Sequence, residues 1–187
     1  MKTAIIIHGC PEEKEYFDVS TPSPSNFQWL PWLQKQLLMK GILAQTPEMP
    51  VAYNPSYENW KKTFEQFDVD EETMLVGHSC GGGFLVRWLS ENKIKVGKVV
   101  LVAPWLDPER ELNTGMFDFE IDKDFPQRTG KTVIMYSTDD MSHILESISI
   151  LKSKVTGAEF QEFTDKGHFV LEDLKSVELP EVLNNLI

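Results

Sequence analysis

Short apolar runs rich in β-branched residues recur along the chain and alternate with amphipathic stretches of helical length. The runs read as strands are Thr3 to His8, Ile42 to Thr46, Thr73 to Gly77, Lys98 to Ala103, Lys131 to Ser137 and Glu159 to Phe163. Within them, Ile5-Ile6-Ile7, Val99-Val100-Leu101-Val102 and Val133-Ile134-Met135 show no polar alternation. A strand apolar on both faces belongs in a sheet covered on both sides, which is the situation of parallel sheets.

The gaps carry helical spacing. Phe27 to Met39 places Leu30, Leu33, Leu37 and Leu38 on one face and ends at Gly41, with Pro31 moving the expected start to Leu30. Tyr57 to Phe67 sets Trp60, Phe64 and Phe67 at i, i+4, i+7, and Ser79 to Leu89 carries Phe84, Leu85 and Trp88. His143 to Leu151 and Leu179 to Ile187 complete the set. Strand and helix in alternation, joined by short connections, predict a doubly wound, mostly parallel six-stranded α/β sheet with helices on both faces. The 187 residues fit one domain, 1–187. Two stretches depart from the pattern: 11–26, with three prolines and three serines, and 104–130, longer than a minimal crossover. Loops of that length in a compact domain are often functional.

Charge narrows the function classes. Against 18 basic residues stand 29 acidic ones, a net charge of −11. Nucleic-acid binders carry the opposite sign, because they neutralise phosphates, so no nucleic-acid partner is expected. The same field disfavours strongly anionic substrates. The two cysteines, Cys10 and Cys80, are too sparse for a disulfide scaffold and point to a reducing compartment. Ala4 to Ile7 is too short for an export signal, and no run approaches the roughly 18 apolar residues of a membrane span. The expectation is a cytoplasmic protein with no membrane partner.

Gly77-His78-Ser79-Cys80-Gly81 matches G-x-S-x-G, with the strand Met74-Leu75-Val76 before it and a helix-forming run after it. Acyl-transfer chemistry needs a serine on such a sharp strand-to-helix turn, and the small residues two before and two after relieve its crowding. The competing reading is a phosphate-binding turn. A Walker loop ends in Lys followed by Ser or Thr, and none follows Gly83. A dinucleotide fingerprint belongs after the first strand, where His8-Gly9-Cys10-Pro11-Glu12-Glu13 would set two glutamates against a pyrophosphate.

A serine nucleophile needs a base, and four histidines are available. His78 flanks the serine and is expected to point away from it, His8 ends the first strand beside the expected oxyanion loop, and His143 sits at a helix start. His168, in Asp165-Lys166-Gly167-His168-Phe169 after the last strand, has the right element and the chain order of α/β-hydrolases. The orienting acid belongs after the penultimate strand, at Ser137-Thr138-Asp139-Asp140. Chemistry alone leaves Asp139 and Asp140 open, one serving the histidine while the other caps the next helix. The oxyanion donors are expected at the Cys80 amide and at Gly9 or Cys10. Both cysteines then flank one site and their thiols approach each other, although small packing residues are the ordinary explanation. His8 is a candidate to touch substrate or to cap its loop, and Trp105, Met116, Phe117 and Phe119 are candidates for an apolar wall, against the plainer reading of core or partner-facing aromatics.

On Gly77-His78-Ser79, Ser137-Thr138-Asp139-Asp140 and Phe163 to Phe169, the chain resembles the small serine-hydrolase family that includes retinoblastoma-binding protein 9 and the YdeN-like bacterial proteins. The resemblance runs over nearly the whole length. It implies a reduced α/β-hydrolase with little or no lid, and the triad Ser79, Asp140 and His168. Three features depart from it: the family's Gly- and Asn-rich loop reads Cys10-Pro11-Glu12-Glu13 here, the stretch after Asp140 is Met141-Ser142-His143 without the family's proline, and no L-x-C-x-E sequence is present. The expected activity is hydrolysis of a small ester, thioester or amide through an acyl-serine, with no metal or organic cofactor and a small-molecule acyl substrate as partner. The rival is a hydrolase-shaped binding protein with a vestigial or regulatory triad. A metal-dependent enzyme finds no H-x-x-x-H pair or His/Cys cluster.

Overall fold

Strands apolar on both faces are stable only inside a covered sheet, and the computed structural model, which describes residues 2–187, sets the three such runs in interior strands of one six-stranded sheet. The six strands are β1 (Thr3–Ile7), β2 (Leu43–Gln45), β3 (Thr73–His78), β4 (Val96–Val102), β5 (Thr129–Ser137) and β6 (Glu159–Phe163). Their order is β2-β1-β3-β4-β5-β6, and every neighbouring pair is parallel.

Alternate residues feed two cores. On one face Ile5, Ile7, Leu75, Val99, Leu101 and Ile134 pack with helices α3 (Tyr57–Phe64), α4 (Cys80–Glu91) and α5 (Ser142–Lys154). On the other, Ala4, Ile6, Met74, Val76, Val100, Val102, Val133 and Met135 meet α2 (Leu30–Met39) and α7 (Pro180–Leu186). Each fully buried Leu, Ile or Phe contributes roughly 1.5–3 kcal/mol, so both layers hold the sheet firmly. No helix among the described residues is long and apolar enough to cross a membrane.

The two irregular stretches behave differently. Residues 11–26, expected as a loop, contain a short helix α1 (Glu13–Phe17), whose start is closed by Glu15 Oε2 accepting from the Glu12 amide at 3.2 Å. The 104–130 stretch holds a 3-10 turn at Phe125–Arg128 before running into β5 at Thr129. A further short helix, α6 (Leu171–Leu174), follows β6.

Sheet order reverses direction at the β1/β3 pair, since β2 lies to one side of β1 while β3 to β6 lie to the other. Such a switch point opens a crevice beyond the carboxyl ends of its strands. His8 leaves β1 there and Ser79 leaves β3 there, aligned by the Ile7–Gly77 register.

Candidate active site

Ser79 sits between β3 and α4 with φ 52° and ψ −120°, a conformation that costs a non-glycine residue of order 1–3 kcal/mol. Hydrogen bonds over-determine it. Its amide donates to the Val102 carbonyl at 2.9 Å, and its own carbonyl accepts from the amides of Trp105 at 3.0 Å and Gly83 at 3.1 Å. The flanking glycines are required by close approach: a Cβ on Gly77 would lie 2.6 Å from the Gly81 carbonyl oxygen, and one on Gly81 would strike the carbonyl of His8.

The distant loops converge on this serine. His168 Nε2 lies 3.0 Å from Ser79 Oγ, and His168 Nδ1 lies 3.0 Å from each carboxylate oxygen of Asp140. The Asp140 side chain is fully buried, and its Oδ1 also accepts from the Met141 amide at 2.7 Å. With Nδ1–H donated to a carboxylate, Nε2 is left as the acceptor facing the hydroxyl.

The backbone carrying His168 is held from four sides. Its amide donates to Asp173 Oδ2 at 2.7 Å and its carbonyl accepts from His78 Nε2 at 2.8 Å. The next carbonyl, of Phe169, accepts from Trp29 Nε1 at 3.0 Å, and the preceding amide, of Gly167, donates to Asp139 Oδ1 at 3.1 Å. Asp139 also accepts from the Ser137 hydroxyl, which pulls its carboxyl below the usual range. The expectation that the aspartate not serving the histidine caps the next helix therefore gives way. Met141 is the N-cap of α5, and Asp139 instead ties the β5 exit to the β6 exit, because these parallel strands end side by side.

Burial favours the neutral form of two other histidines, His78 and His8. Burial, reinforced by the nearby His168, pushes His78 down to about 3, and the neutral ring donates from Nε2. His8 Nε2 accepts from the Met49 amide at 2.9 Å, which leaves Nδ1 to donate to the Gly9 carbonyl at 2.7 Å. Burial likewise lowers its pKa. His8 borders the site, but both ring nitrogens are already engaged. His143 lies in the first turn of α5, near Trp105.

A cavity of about 820 Å³ opens over Ser79 and His168. Its walls are Pro11, Tyr16, Pro24 and Phe27 from the segment after β1, with Met141 and Val170 opposite. The expected wall of Trp105, Met116, Phe117 and Phe119 is not among them. Met116 is fully buried in the core, and Phe117 lies against α4, whose Arg87 donates to the Gly115 and Met116 carbonyls at 2.6 and 2.9 Å. Trp105 packs on Phe117 with ring centroids 5.5 Å apart. The residues following β4 are carried over the far flank of α4, where Met116 and Phe117 line a separate cavity of about 420 Å³. The length and prolines of 11–26 marked that segment as irregular, but nothing in them showed that it folds over the serine.

Gly9 brings the loop after β1 against the serine: a Cβ there would lie 3.1 Å from Ser79 Cβ. Among the described residues, no acceptor takes the amides of Cys10 or Cys80. Cys10 and Cys80 are joined by a disulfide with Cα atoms 5.7 Å apart, which replaces the reading of two small packing residues. The β1/β3 register places the residues beyond these strands side by side, so the two cysteines meet as expected across 70 residues of sequence, and the covalent bond is what the packing reading missed.

Residues 22–186 match the family described as serine hydrolase. YdeN of Bacillus subtilis (strain 168) is 31% identical over 172 residues, covering 87% of this chain and 88% of its own. The crystal structure of the ydeN gene product superposes with a TM-score of 0.78 at 26% identity, over 98% of this chain and 96% of that one. The fold is also shared with a Paleococcus ferrophilus monoacylglycerol lipase (TM-score 0.62, 16% identity, 91% and 87% covered). Est1E from Butyrivibrio proteoclasticus shares it too (TM-score 0.60, 16% identity, 98% and 88% covered).

Proposed function

Because the chain belongs to the serine hydrolase family, we propose that it cleaves small esters, thioesters or amides through an acyl-Ser79 intermediate. The observation that carries this is the chain of contacts from Asp140 through His168 to Ser79, every link at 3.0 Å. The imidazole withdraws the hydroxyl proton as Oγ attacks the acyl carbon, and the Asp140 carboxylate offsets the charge gained by the ring. The proton then passes to the leaving group, and water repeats the sequence on the acyl-serine.

The developing oxyanion is met by the Cys80 amide at the head of α4 and by an amide of the Gly9-Cys10 loop. Each such donor supplies on the order of 3 kcal/mol in the transition state. A cavity of about 820 Å³ walled by Tyr16, Phe27 and Val170 suits an acyl group of moderate size. The test is a fluorophosphonate probe together with short-chain 4-nitrophenyl esters. Label on Ser79 and ester turnover are expected, both lost in Ser79→Ala. A folded protein that neither labels nor turns over is a binding protein, and label persisting in Ser79→Ala removes Ser79 as nucleophile.

A further inference from the structure

The Cys10–Cys80 disulfide joins the two segments that supply the oxyanion donors, one residue past Gly9 on one side and one residue past Ser79 on the other. Its two sulfurs live in different surroundings. Cys80 is fully buried as the first residue of the 12-residue α4. Cys10 is half-buried and lines the substrate cavity. A thiolate entering from that cavity therefore meets Cys10 Sγ first. The displaced sulfur, Cys80 Sγ, leaves at the N-terminus of α4, whose amide dipoles favour a thiolate, while its burial against the apolar core opposes one, so exchange is driven by access at Cys10.

The bond is also the main tether of its loop. Among the described residues Cys10 and Pro11 make no hydrogen bonds, and the Gly9 carbonyl accepts only from the ring of His8 next to it. Opening the disulfide would leave this stretch with the two hydrogen bonds of the His8 ring and the packing of Tyr16 on Tyr53, with no covalent tie to α4.

We propose that Cys10–Cys80 is a reversible redox modification site whose co-substrate is a dithiol, and that its state sets the rigidity of the oxyanion hole. The second half rests on the acyl-Ser79 reading above. One sulfur of the dithiol attacks Cys10 Sγ, forming a mixed disulfide and releasing Cys80 as thiolate. The second sulfur of the dithiol then attacks its partner in the mixed disulfide and releases Cys10. Two electrons and two protons pass to the protein, and the dithiol leaves as its disulfide. The oxidised form holds the donors preorganised and is the faster hydrolase; the reduced form has the same groups on a looser loop.

The experiment equilibrates the whole protein with mixtures of reduced and oxidised dithiothreitol, traps thiols by alkylation for mass spectrometry, and measures 4-nitrophenyl ester turnover on the same samples. Reduction is expected to add two alkyl groups and to lower kcat on the order of tenfold, less than the loss of a whole donor. Oxidised dithiothreitol restores both. Cys10→Ser is expected to sit at the reduced level and to ignore the mixture. Alkylation of both cysteines after full oxidation overturns the proposal, as does a fully reduced protein with unchanged kcat. Absence of turnover and of fluorophosphonate labelling in every mixture overturns the hydrolase reading, and with it the control of the oxyanion hole. The alkylation data still measure the exchange itself in that case.

Discussion

His78 donates a hydrogen bond from Nε2 to the backbone carbonyl of His168 at 2.8 Å, so the residue before the serine grips the residue that faces it. The x before Ser79 in the elbow motif is thus a positioning residue. It acts through the His168 backbone, and its own ring stays neutral because burial depresses it to about 3.

This arrangement has a cost in acid. The folded-state value lies below the 6.5 of an unperturbed imidazole, so the unfolded chain takes up its proton first. Stability is full above about pH 6.5 and falls as pH drops, by about 1.4 kcal/mol per unit for this ring, until the native state protonates near pH 3. His8, also lowered by burial, acts in the same direction. His78→Gln keeps an N–H donor without a titrating ring. Denaturant unfolding from pH 7 to 4 is expected to lose one of these two slopes in the variant, with kcat at pH 8 within a few-fold of the parent. An unchanged slope would show that His78 is charged in the folded protein.

Ser79 itself is strained, and the strain serves the exposure of its hydroxyl. Glycine adopts a positive φ without penalty. Ser79→Gly is therefore expected to raise the unfolding free energy by about 1 kcal/mol while abolishing fluorophosphonate labelling. The midpoint of thermal or urea unfolding checks it, and a destabilised variant would mean that the serine side chain contributes more than its backbone costs.

The adjacent carboxylates separate by partner. Asp140 is bonded to the imidazole and Asp139 to Ser137 and Gly167. Asp140→Asn is expected to reduce kcat on the order of 10⁴-fold, because an amide favours the wrong tautomer of His168. Asp139→Asn loosens the loop and is expected to cost about tenfold in kcat, with little change in KM. Equal losses would contradict the division of labour.

How much of this was legible in the sequence depends on the range over which each feature is encoded. The strands and most helices were readable because apolar runs such as Ile5-Ile6-Ile7 carry their period locally. The convergence of Ser79, His168 and the Asp139-Asp140 pair was accessible because strand order constrains which loops share an edge, while the choice of Asp140 within the pair rested on the family resemblance. The wall residues were not, since nothing local says that Trp105 and Phe117 pass over the far side of α4 while Tyr16 and Phe27 fold over the serine. The approach of Cys10 to Cys80 was legible from the loops expected at the oxyanion site, but their bonding was not, since two sparse cysteines read equally well as small packing residues. Asp139 looked like a helix cap because its true partner, the Gly167 amide, lies 28 residues away.

Charge around the cavity sets the last expectation. Glu12, Glu15, Glu48, Glu172 and Asp173 line it, and no Lys or Arg does among the described residues. Asp173 is occupied by the His168 amide and Glu48 by the Ser25 amide, but neither loses its negative charge by accepting. An entering carboxylate meets like charge in a partly enclosed space, whereas a quaternary ammonium meets the opposite sign. The 4-nitrophenyl ester of a trimethylammonium acid is thus expected to exceed the corresponding hemisuccinate in kcat/KM by about tenfold or more at low ionic strength. Raising salt shortens the screening length from about 30 Å at 0.01 M to about 3 Å at 1 M and should collapse most of that ratio. Glu172→Gln and Glu48→Gln should each narrow it without lowering kcat on a neutral acetyl ester. A ratio near one at low salt would mean that the carboxylates are too well hydrated at the cavity rim to select anything.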